Sequence, residues 1–220
     1  MTYFWFATFL AGCLLQVLVI SSLIRDSYKI FPFLLANTVA DLLSNVAGSA
    51  AYFRPDLYSA YVRHYWVGEA VQQFLMFCLV ISLIRQTVKD RSRLQHWLAP
   101  GVIAIAALSL YRKHGNFNMW MTELSRNLSF IAVLLNLYLW MALIRHKPDD
   151  RRLLLISGGL GLQMAGSAIG HALREMAKVR AEPLVTTGNL VIVVSHLLCL
   201  YVWWQALRKD TALQVATNYP

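Results

Sequence analysis

Seven long runs of apolar residues follow one another along the chain, and short polar stretches separate them. The tripeptide Leu-Ile-Arg closes three of these runs, at Arg25, Arg85 and Arg145, and Ala206-Leu207-Arg208 closes the last one. A bilayer core about 30 Å thick needs roughly 20 apolar residues for one helical crossing. We therefore predict seven transmembrane helices, at about 3–24, 31–51, 66–84, 97–112, 123–144, 152–173 and 186–207.

The composition agrees with an all-α membrane bundle. Hydrophobic residues make up 58% of the 220 residues and charged residues 14%, which is too apolar for a soluble domain of this length. The longest stretch outside the predicted spans, about 52–65, is too short for a separate globular domain. We therefore expect one domain, residues 1–220, whose main partner is the lipid bilayer and which carries no soluble catalytic module.

The basic residues predict how the bundle is oriented. Lys and Arg accumulate in cytoplasmic loops of membrane proteins. One side of the predicted bundle holds twelve of them: Arg25, Lys29, Arg85, Lys89, Arg91, Arg93, Arg145, Lys147, Arg151, Arg152, Arg208 and Lys209. The other side holds eight: Arg54, Arg63, Arg112, Lys113, Arg126, Arg174, Lys178 and Arg180. This asymmetry predicts an N-terminus outside and a C-terminus in the cytoplasm, and it explains the net charge of +9 without a nucleic-acid partner.

The tryptophans support the same orientation, because indole rings settle at the level of the lipid headgroups. On this topology, Trp5, Trp66 and Trp120 fall at the outer ends of their helices. The inner belt is predicted to contain Trp97, Trp140, Trp203 and Trp204.

The fixed distance of 60 residues between the first three Leu-Ile-Arg motifs suggests a repeated two-helix unit, with the seventh helix beginning a fourth copy. Duplication is left open, since any helix that leaves toward the cytoplasm tends to end in Arg. The three cysteines show no metal-ligand spacing and no disulfide framework. Leu10-Ala11-Gly12-Cys13 matches the box at which bacterial lipoproteins are lipidated, but an ordinary first transmembrane helix is favoured because the apolar run continues to Ile24.

Three segments carry a family resemblance: Arg25-Asp26-Ser27-Tyr28-Lys29-Ile30-Phe31-Pro32-Phe33, Tyr65-Trp66-Val67-Gly68-Glu69-Ala70, and Glu123-Leu124-Ser125-Arg126. They resemble recurring segments of an uncharacterised family of small seven-span bacterial integral membrane proteins. The resemblance implies a multi-pass protein of the bacterial cytoplasmic (inner) membrane. It implies no activity, because none is established for that family.

Polar residues at mid-membrane depth form the first candidate site. Ionisable residues inside spans cost roughly 2.5–3.5 kcal/mol at a helix centre on insertion scales, so each one is a functional candidate. Asn37, Asp41 and Asn45 form a stripe at i, i+4 and i+8. Residues predicted at a similar depth on other helices are Asn136, Gln163 and His196. The layer is interpreted either as interhelical hydrogen bonds that hold the bundle or as a proton, ion or ligand site, with Asp41 paired to His196.

A second candidate site gathers at the predicted outer ends of three helices. It contains acids, an amide, an arginine and a histidine that could line a pocket open to the exterior: Glu69, Gln73, Glu123, Arg126 and His171. The alternative is a set of ordinary solvated helix ends, in which Glu123 and Arg126 pair along one helix.

Glycines in the sixth apolar run predict close helix packing. Gly166 and Gly170 form a GxxxG motif, which lets another helix approach closely and could also support a homo-oligomer. Enzyme chemistry has less support, since His171 is predicted about 10 Å nearer the outer face than His196. In addition, no His-x3-His or His-Glu-x2-His pair supplies a metal site.

These patterns favour a non-enzymatic sensor or ligand-binding bundle with an outward-facing polar pocket, acting through a partner membrane or signalling protein. The alternative is a small-solute, ion or proton transporter that uses the midplane layer. A metal-dependent membrane lipid hydrolase is a further alternative. The sequence leaves the cofactor and the ligand unassigned.

Overall fold

The computed structural model describes residues 2–53, 55–87, 117–146, 149–180 and 182–217, and it contains helices and no strand in these ranges. The chain is therefore all-α in its described part. Six helices are present: α1 Thr2–Asp26, α2 Pro32–Phe53, α3 Pro55–Thr87, α4 Phe117–His146, α5 Arg151–Arg180 and α6 Glu182–Thr217.

Six of the seven predicted spans coincide with helices. Most of these helices extend beyond the boundaries predicted for the spans. The largest difference is in α3, which begins at Pro55 although the predicted span begins at 66. Proline is tolerated in a first helical turn, where its missing N–H has no intrahelical acceptor to bond. The fourth predicted span, 97–112, lies outside the described residues.

Three of the helices contain stretches that are long and apolar enough to cross a membrane: Phe4–Arg25, Arg151–Arg174 and Pro183–Arg208. Shorter apolar stretches, Val71–Thr87 and Ile131–His146, lie in α3 and α4. Many large apolar side chains on the described helices are exposed to the surroundings, among them Leu14, Leu43, Met141 and Ile144. Exposed apolar surface of this kind is typical of lipid-facing helices, so the chain is a helical membrane protein.

The described helices group into two compact units. The terminal unit consists of α1, α5 and α6, and the middle unit consists of α2, α3 and α4. In the terminal unit α6 packs against both α1 and α5; in the middle unit α3 packs against both α2 and α4. The prediction of a single domain over residues 1–220 stays a prediction.

Contacts in the terminal unit fix the directions of its three helices. Gly12 of α1 faces Leu197 of α6, and Trp5 shares a cleft with Asn189, so α1 and α6 run parallel. On α5, Gly159 faces Trp203 whereas Gly170 faces Ile192 and Gly188, so α5 runs antiparallel to α6. The start of α1, the end of α5 and the start of α6 therefore lie together at one end of this unit.

The opposite end of the terminal unit is basic and is joined by specific hydrogen bonds. Asp150 caps α5, because its side-chain oxygen accepts from the backbone N–H of Leu153 at 3.1 Å. The Arg152 guanidinium donates to the buried Ser27 hydroxyl, which follows the end of α1. Arg25, Arg151 and Arg208 are exposed at this same end.

Trp203 corrects one detail of the predicted inner tryptophan belt. Its side chain is 1% exposed, and its indole N–H donates to the Ile156 carbonyl at 2.9 Å. Gly159 provides the space for this ring, since a Cβ at that position would lie 2.9 Å from the indole. Trp203 is therefore a core residue, whereas its neighbour Trp204 is only half-buried and has the Arg208 guanidinium 5.1 Å from its ring centre.

The middle unit contains an antiparallel pair, α2 and α3. Asp41 of α2 bonds Gln72 of α3, and Ser44, one turn later on α2, faces Gly68, one turn earlier on α3. The two helices follow each other in sequence, with Phe53 ending α2 and Pro55 beginning α3. The stretch predicted to lie outside the spans, about 52–65, thus falls largely within helix.

Candidate functional site

A cleft of about 300 Å³ opens at the end of the terminal unit where α1 and α6 begin. Its walls come from all three helices of the unit. The lining residues are Trp5 of α1, Arg174 of α5, and Asn189, Ile192 and Val193 of α6. One cation, one amide and one indole thus share a cleft whose remaining wall is aliphatic.

Close packing of α5 on α6 positions the arginine of this cleft. A Cβ built on Gly188 would lie 3.0 Å from the Arg174 Cγ and 3.4 Å from the Arg174 backbone nitrogen. The aliphatic stem of Arg174 therefore lies directly against the bare backbone of Gly188. This contact places the stem at the cleft wall, while the residue as a whole is exposed.

Two neighbours on α1 contact Trp5. The Phe4 ring lies edge-on to the Trp5 ring, with 5.6 Å between the centroids and an interplanar angle of 76°. The Thr8 hydroxyl donates to the Trp5 carbonyl at 2.9 Å, one turn along α1. The Trp5 side chain is half-buried.

The GxxxG motif of α5 packs against α6 of the same chain. A Cβ on Gly166 would lie 2.0 Å from the Ser195 hydroxyl oxygen, and a Cβ on Gly170 would lie 2.7 Å from the Gly188 carbonyl oxygen. Both distances are below any normal contact, so the two glycines are required for the approach of α6. Close packing at this motif is thus observed within one chain, and a homo-oligomer through Gly166 and Gly170 stays a prediction.

Two members of the predicted midplane layer lie in the terminal unit. Gln163 is buried, and its side-chain oxygen accepts from the Cys199 thiol at 3.2 Å. His196 is half-buried on α6, next to Ser195. His171 is exposed on α5, beside Gly170, which puts it nearer than His196 to the cleft end of the unit.

The other members of that layer lie in the middle unit. Asp41 is buried and accepts a hydrogen bond from the Gln72 side-chain amide at 2.8 Å. Asn37 and Asn136 are 2% and 5% exposed, and among the described residues the side-chain oxygen of each has no hydrogen-bond partner. Asn45 is half-buried. The proposed contact between Asp41 and His196 stays a prediction, because the two residues belong to different units.

The predicted outer cluster is divided among three helices. Gln73 is half-buried on α3, and His171 is exposed on α5. Glu69 lies on α3, and Glu123 and Arg126 lie on α4; their side chains fall outside the described part of the structure. A common pocket for these residues stays a prediction.

The structure adds residues that the sequence patterns did not select. Asn189 and the pair Ile192–Val193 look like ordinary span residues, and only the register between α5 and α6 brings them to Arg174. Gln72 is brought to Asp41 by the antiparallel register of the α2–α3 pair. Among the described residues, no group of three His, Cys, Asp or Glu side chains could hold a metal ion together.

Comparison of the chain with protein-family models, with curated proteins and with solved structures gives no match.

Proposed function

We propose that this chain is a multi-pass protein of the bacterial cytoplasmic membrane that binds a small ligand in an outward-facing cleft and acts through a partner protein, without catalysing a reaction. The observation that carries the proposal is the cleft of about 300 Å³ at the ends of the three long apolar helices. Its volume is at the lower end of the range for small-ligand sites, and its lining combines aliphatic and polar residues as such sites do.

The register of the terminal unit supports seven spans. Because α1 and α6 begin at the same end, the chain must cross the membrane an odd number of times between the end of α1 and the start of α6. The described helices between them, α2 to α5, are four in number. If each of these crosses once, one further crossing is required, and in this proposal the apolar run at 97–112 supplies it.

The distribution of charge supports an orientation with the cleft outside. Lys29 and three arginines (Arg25, Arg151 and Arg208) are exposed around the end of the terminal unit opposite the cleft. An excess of basic residues marks the cytoplasmic side, so the proposed orientation has the N-terminus and the cleft on the other side. The two-helix repeat and the likeness to small seven-span bacterial proteins belong to the same proposal and rest on the sequence.

Cysteine labelling tests the topology. Cys13 and Cys78 are replaced by Ala and Cys199 by Ser, and Ser59→Cys and Ser92→Cys are then made singly. An impermeant maleimide added to intact cells should label position 59 and not position 92, and inside-out vesicles should reverse the result. Labelling of both positions from one side would remove the seven-span topology.

Ligand binding is tested on purified protein in neutral-lipid nanodiscs. The melting temperature is measured against a panel of anionic, cationic, zwitterionic and uncharged small molecules, for the wild type and for Val193→Trp, which fills the cleft. A ligand that binds the folded protein increases its free energy of unfolding by RT ln(1 + [L]/Kd). We therefore expect at least one class of molecule to raise the melting temperature of the wild type, and the same class to leave the melting temperature of Val193→Trp unchanged. Equal responses of the two proteins to every class would exclude the cleft as a ligand site.

A transporter that uses the midplane residues is the second candidate function. It is favoured by the buried carboxyl of Asp41 and by the buried Asn37 and Asn136 oxygens that lack a hydrogen-bond partner within the described residues. Polar groups in this environment are costly and often mark a path for ions, protons or polar solutes. In proteoliposomes, transport should produce a proton or cation flux that Asp41→Asn abolishes while the protein stays folded; absence of flux from the wild type would favour the ligand-binding proposal.

A further inference from the structure

The cleft of the terminal unit combines a cation with hydrogen-bond donors, and among its five described lining residues none is acidic. The Arg174 guanidinium offers a planar fork of N–H donors that matches a carboxylate or a phosphate. Asn189 and Trp5 also line the cleft, and their side chains carry an amide and an indole N–H that can donate. A cationic ligand would meet the arginine charge with no carboxylate in this wall to offset it.

The position of the cleft adds a second requirement on its ligand. The candidate spans begin at Phe4 and Pro183 and end at Arg174, so the cleft lies where the apolar part of three helices ends. Trp5 is the kind of residue that settles at headgroup level. Ile192 and Val193 provide aliphatic contact on the membrane side of the cleft. A ligand that contacts all of these residues has an anionic group joined to an apolar part.

The stem of Arg174 lies against the bare backbone of Gly188. Ordering a long side chain on binding has an entropic cost. A stem that is already seated loses less conformational freedom, so the guanidinium is partly pre-organised for an incoming anion. A freely rotating surface arginine has no such arrangement.

We infer that this cleft binds an anionic group, a phosphate or a carboxylate, which Arg174 holds while Trp5 and the Ile192–Val193 wall contact the attached apolar part. The inference rests on the proposed ligand-binding function and names its ligand class. Two kinds of ligand carry such an anionic group: an anionic phospholipid of the outer leaflet, through its headgroup, and a free amphipathic anion from the exterior.

Binding is measured on the full-length protein in phosphatidylcholine nanodiscs, with three probes. These are inorganic phosphate, octanoate, and nanodiscs that contain 30% phosphatidylglycerol, the last read as the melting temperature relative to pure phosphatidylcholine. Arg174→Gln removes the charge at the cleft, and Arg208→Gln is the matched control. Arg208 also lies beside a tryptophan, with 5.1 Å to the Trp204 ring centre, but it lies at the opposite end of α6.

We expect Arg174→Gln to weaken binding of the effective anion about tenfold to a hundredfold, as loss of a charged hydrogen bond does, whereas Arg208→Gln leaves it within about twofold. Arg174→Lys should recover part of the affinity. A response to octanoate or phosphate assigns a free anion; a response only to phosphatidylglycerol assigns a lipid headgroup. Equal effects of the two glutamine variants, or no response to any anion, would overturn the inference.

The same measurements separate this inference from the function on which it rests. If cations or uncharged molecules stabilise the wild type but not Val193→Trp, the cleft binds a ligand and the anionic class is wrong. If no compound distinguishes these two proteins, both the inference and the proposed function fail.

Discussion

The α5–α6 pair and the α2–α3 pair are both antiparallel, but they are held together by different means. Glycines of α5 let the backbones of α5 and α6 approach until a single added Cβ on Gly170 would lie 2.7 Å from a backbone oxygen. Between α2 and α3 the described contacts include a partly buried hydrogen bond from Gln72 to Asp41, whereas the closest atom to a Cβ built on Gly68 is 3.9 Å away. Within lipid, helices lack a hydrophobic driving force for association, so close packing and hydrogen bonds are the two available means.

The comparison shows which changes each pair should tolerate. A backbone crossing between glycines has no spare volume, so the smallest side chain is already too large. A hydrogen bond between two side chains depends on donor and acceptor types, and an isosteric residue of the right type can replace either partner. The α5–α6 pair is thus expected to be the sterically sensitive one, and the α2–α3 pair the chemically sensitive one.

The largest effect is expected for Gly170→Ala. The added methyl would meet the Gly188 carbonyl oxygen and the Ile192 side chain, so the helices must separate. Overpacking of a tight interface costs about 3 kcal/mol at the upper end of its usual range. The free energy of unfolding, measured by SDS titration in mixed micelles with circular dichroism, should fall by about this amount.

Two further variants show whether the backbone is the cause. Ile192→Ala should fail to rescue Gly170→Ala, because the Gly188 carbonyl oxygen remains in place. Ala165→Leu, a larger substitution at an exposed position of the same helix, should change the free energy of unfolding by less than about 0.5 kcal/mol. Equal destabilisation by Gly170→Ala and Ala165→Leu would contradict the close crossing.

Gly166→Ala is expected to destabilise the protein strongly, and a second substitution at Ser195 should restore much of the lost stability. The atoms that a Cβ at 166 would meet are the Ser195 hydroxyl oxygen and Cβ, at 2.0 and 2.2 Å, and the next atom is 3.6 Å away. Ser195→Gly removes both close atoms. The single variant should lose about 2 kcal/mol and the double variant should recover more than half of the loss, measured as a double-mutant cycle. Additive effects would show that Ser195 is not the obstacle.

The chemical sensitivity of the α2–α3 pair is tested at Gln72 and Asp41. Gln72→Leu removes a donor from the buried carboxyl and should cost about 1.5 kcal/mol, near the upper end for interhelical hydrogen bonds in membranes. Asp41→Asn keeps an acceptor for Gln72 and should change the unfolding free energy by less than about 0.5 kcal/mol. In the double variant Gln72→Leu/Asp41→Leu both partners are apolar, and stability should return close to that of the wild type. A double variant less stable than Gln72→Leu alone would argue against this account.

The smallest effect is expected at Trp203. Trp203→Phe retains most of the packing against Gly159 but removes the hydrogen bond to the Ile156 carbonyl, which should cost about 0.6 kcal/mol, the average for such bonds in membranes. Trp204→Phe at the adjacent, half-buried position is the control and should be close to neutral. Both variants are compared by the same SDS titration. A larger loss of unfolding free energy for Trp204→Phe than for Trp203→Phe would contradict the assignment of Trp203 to the core.

Part of the candidate site could be predicted from the sequence. The GxxxG spacing indicated a close helix contact at Gly166 and Gly170, and the i, i+4 spacing indicated one inward face for Asn37 and Asp41; both pairs are buried. The cleft could not be predicted, because Trp5 and Asn189 are 184 positions apart and meet through the parallel register of α1 and α6. The inward turn of Trp203 likewise depends on space that Gly159 leaves on another helix.

The sequence by itself determined that this is a helical membrane protein, where most of its helices lie, and which faces carry glycine or polar residues. These properties depend on local quantities: the length of an apolar run, the spacing of like residues along one helix, and the cost of burying polar groups in lipid. Only the tertiary structure decided that Asp41 bonds Gln72, that Gly188 seats the stem of Arg174, and that three helix ends enclose a cleft. Such contacts depend on which helix faces which and in what register, and that choice follows from the mutual fit of surfaces distant in sequence.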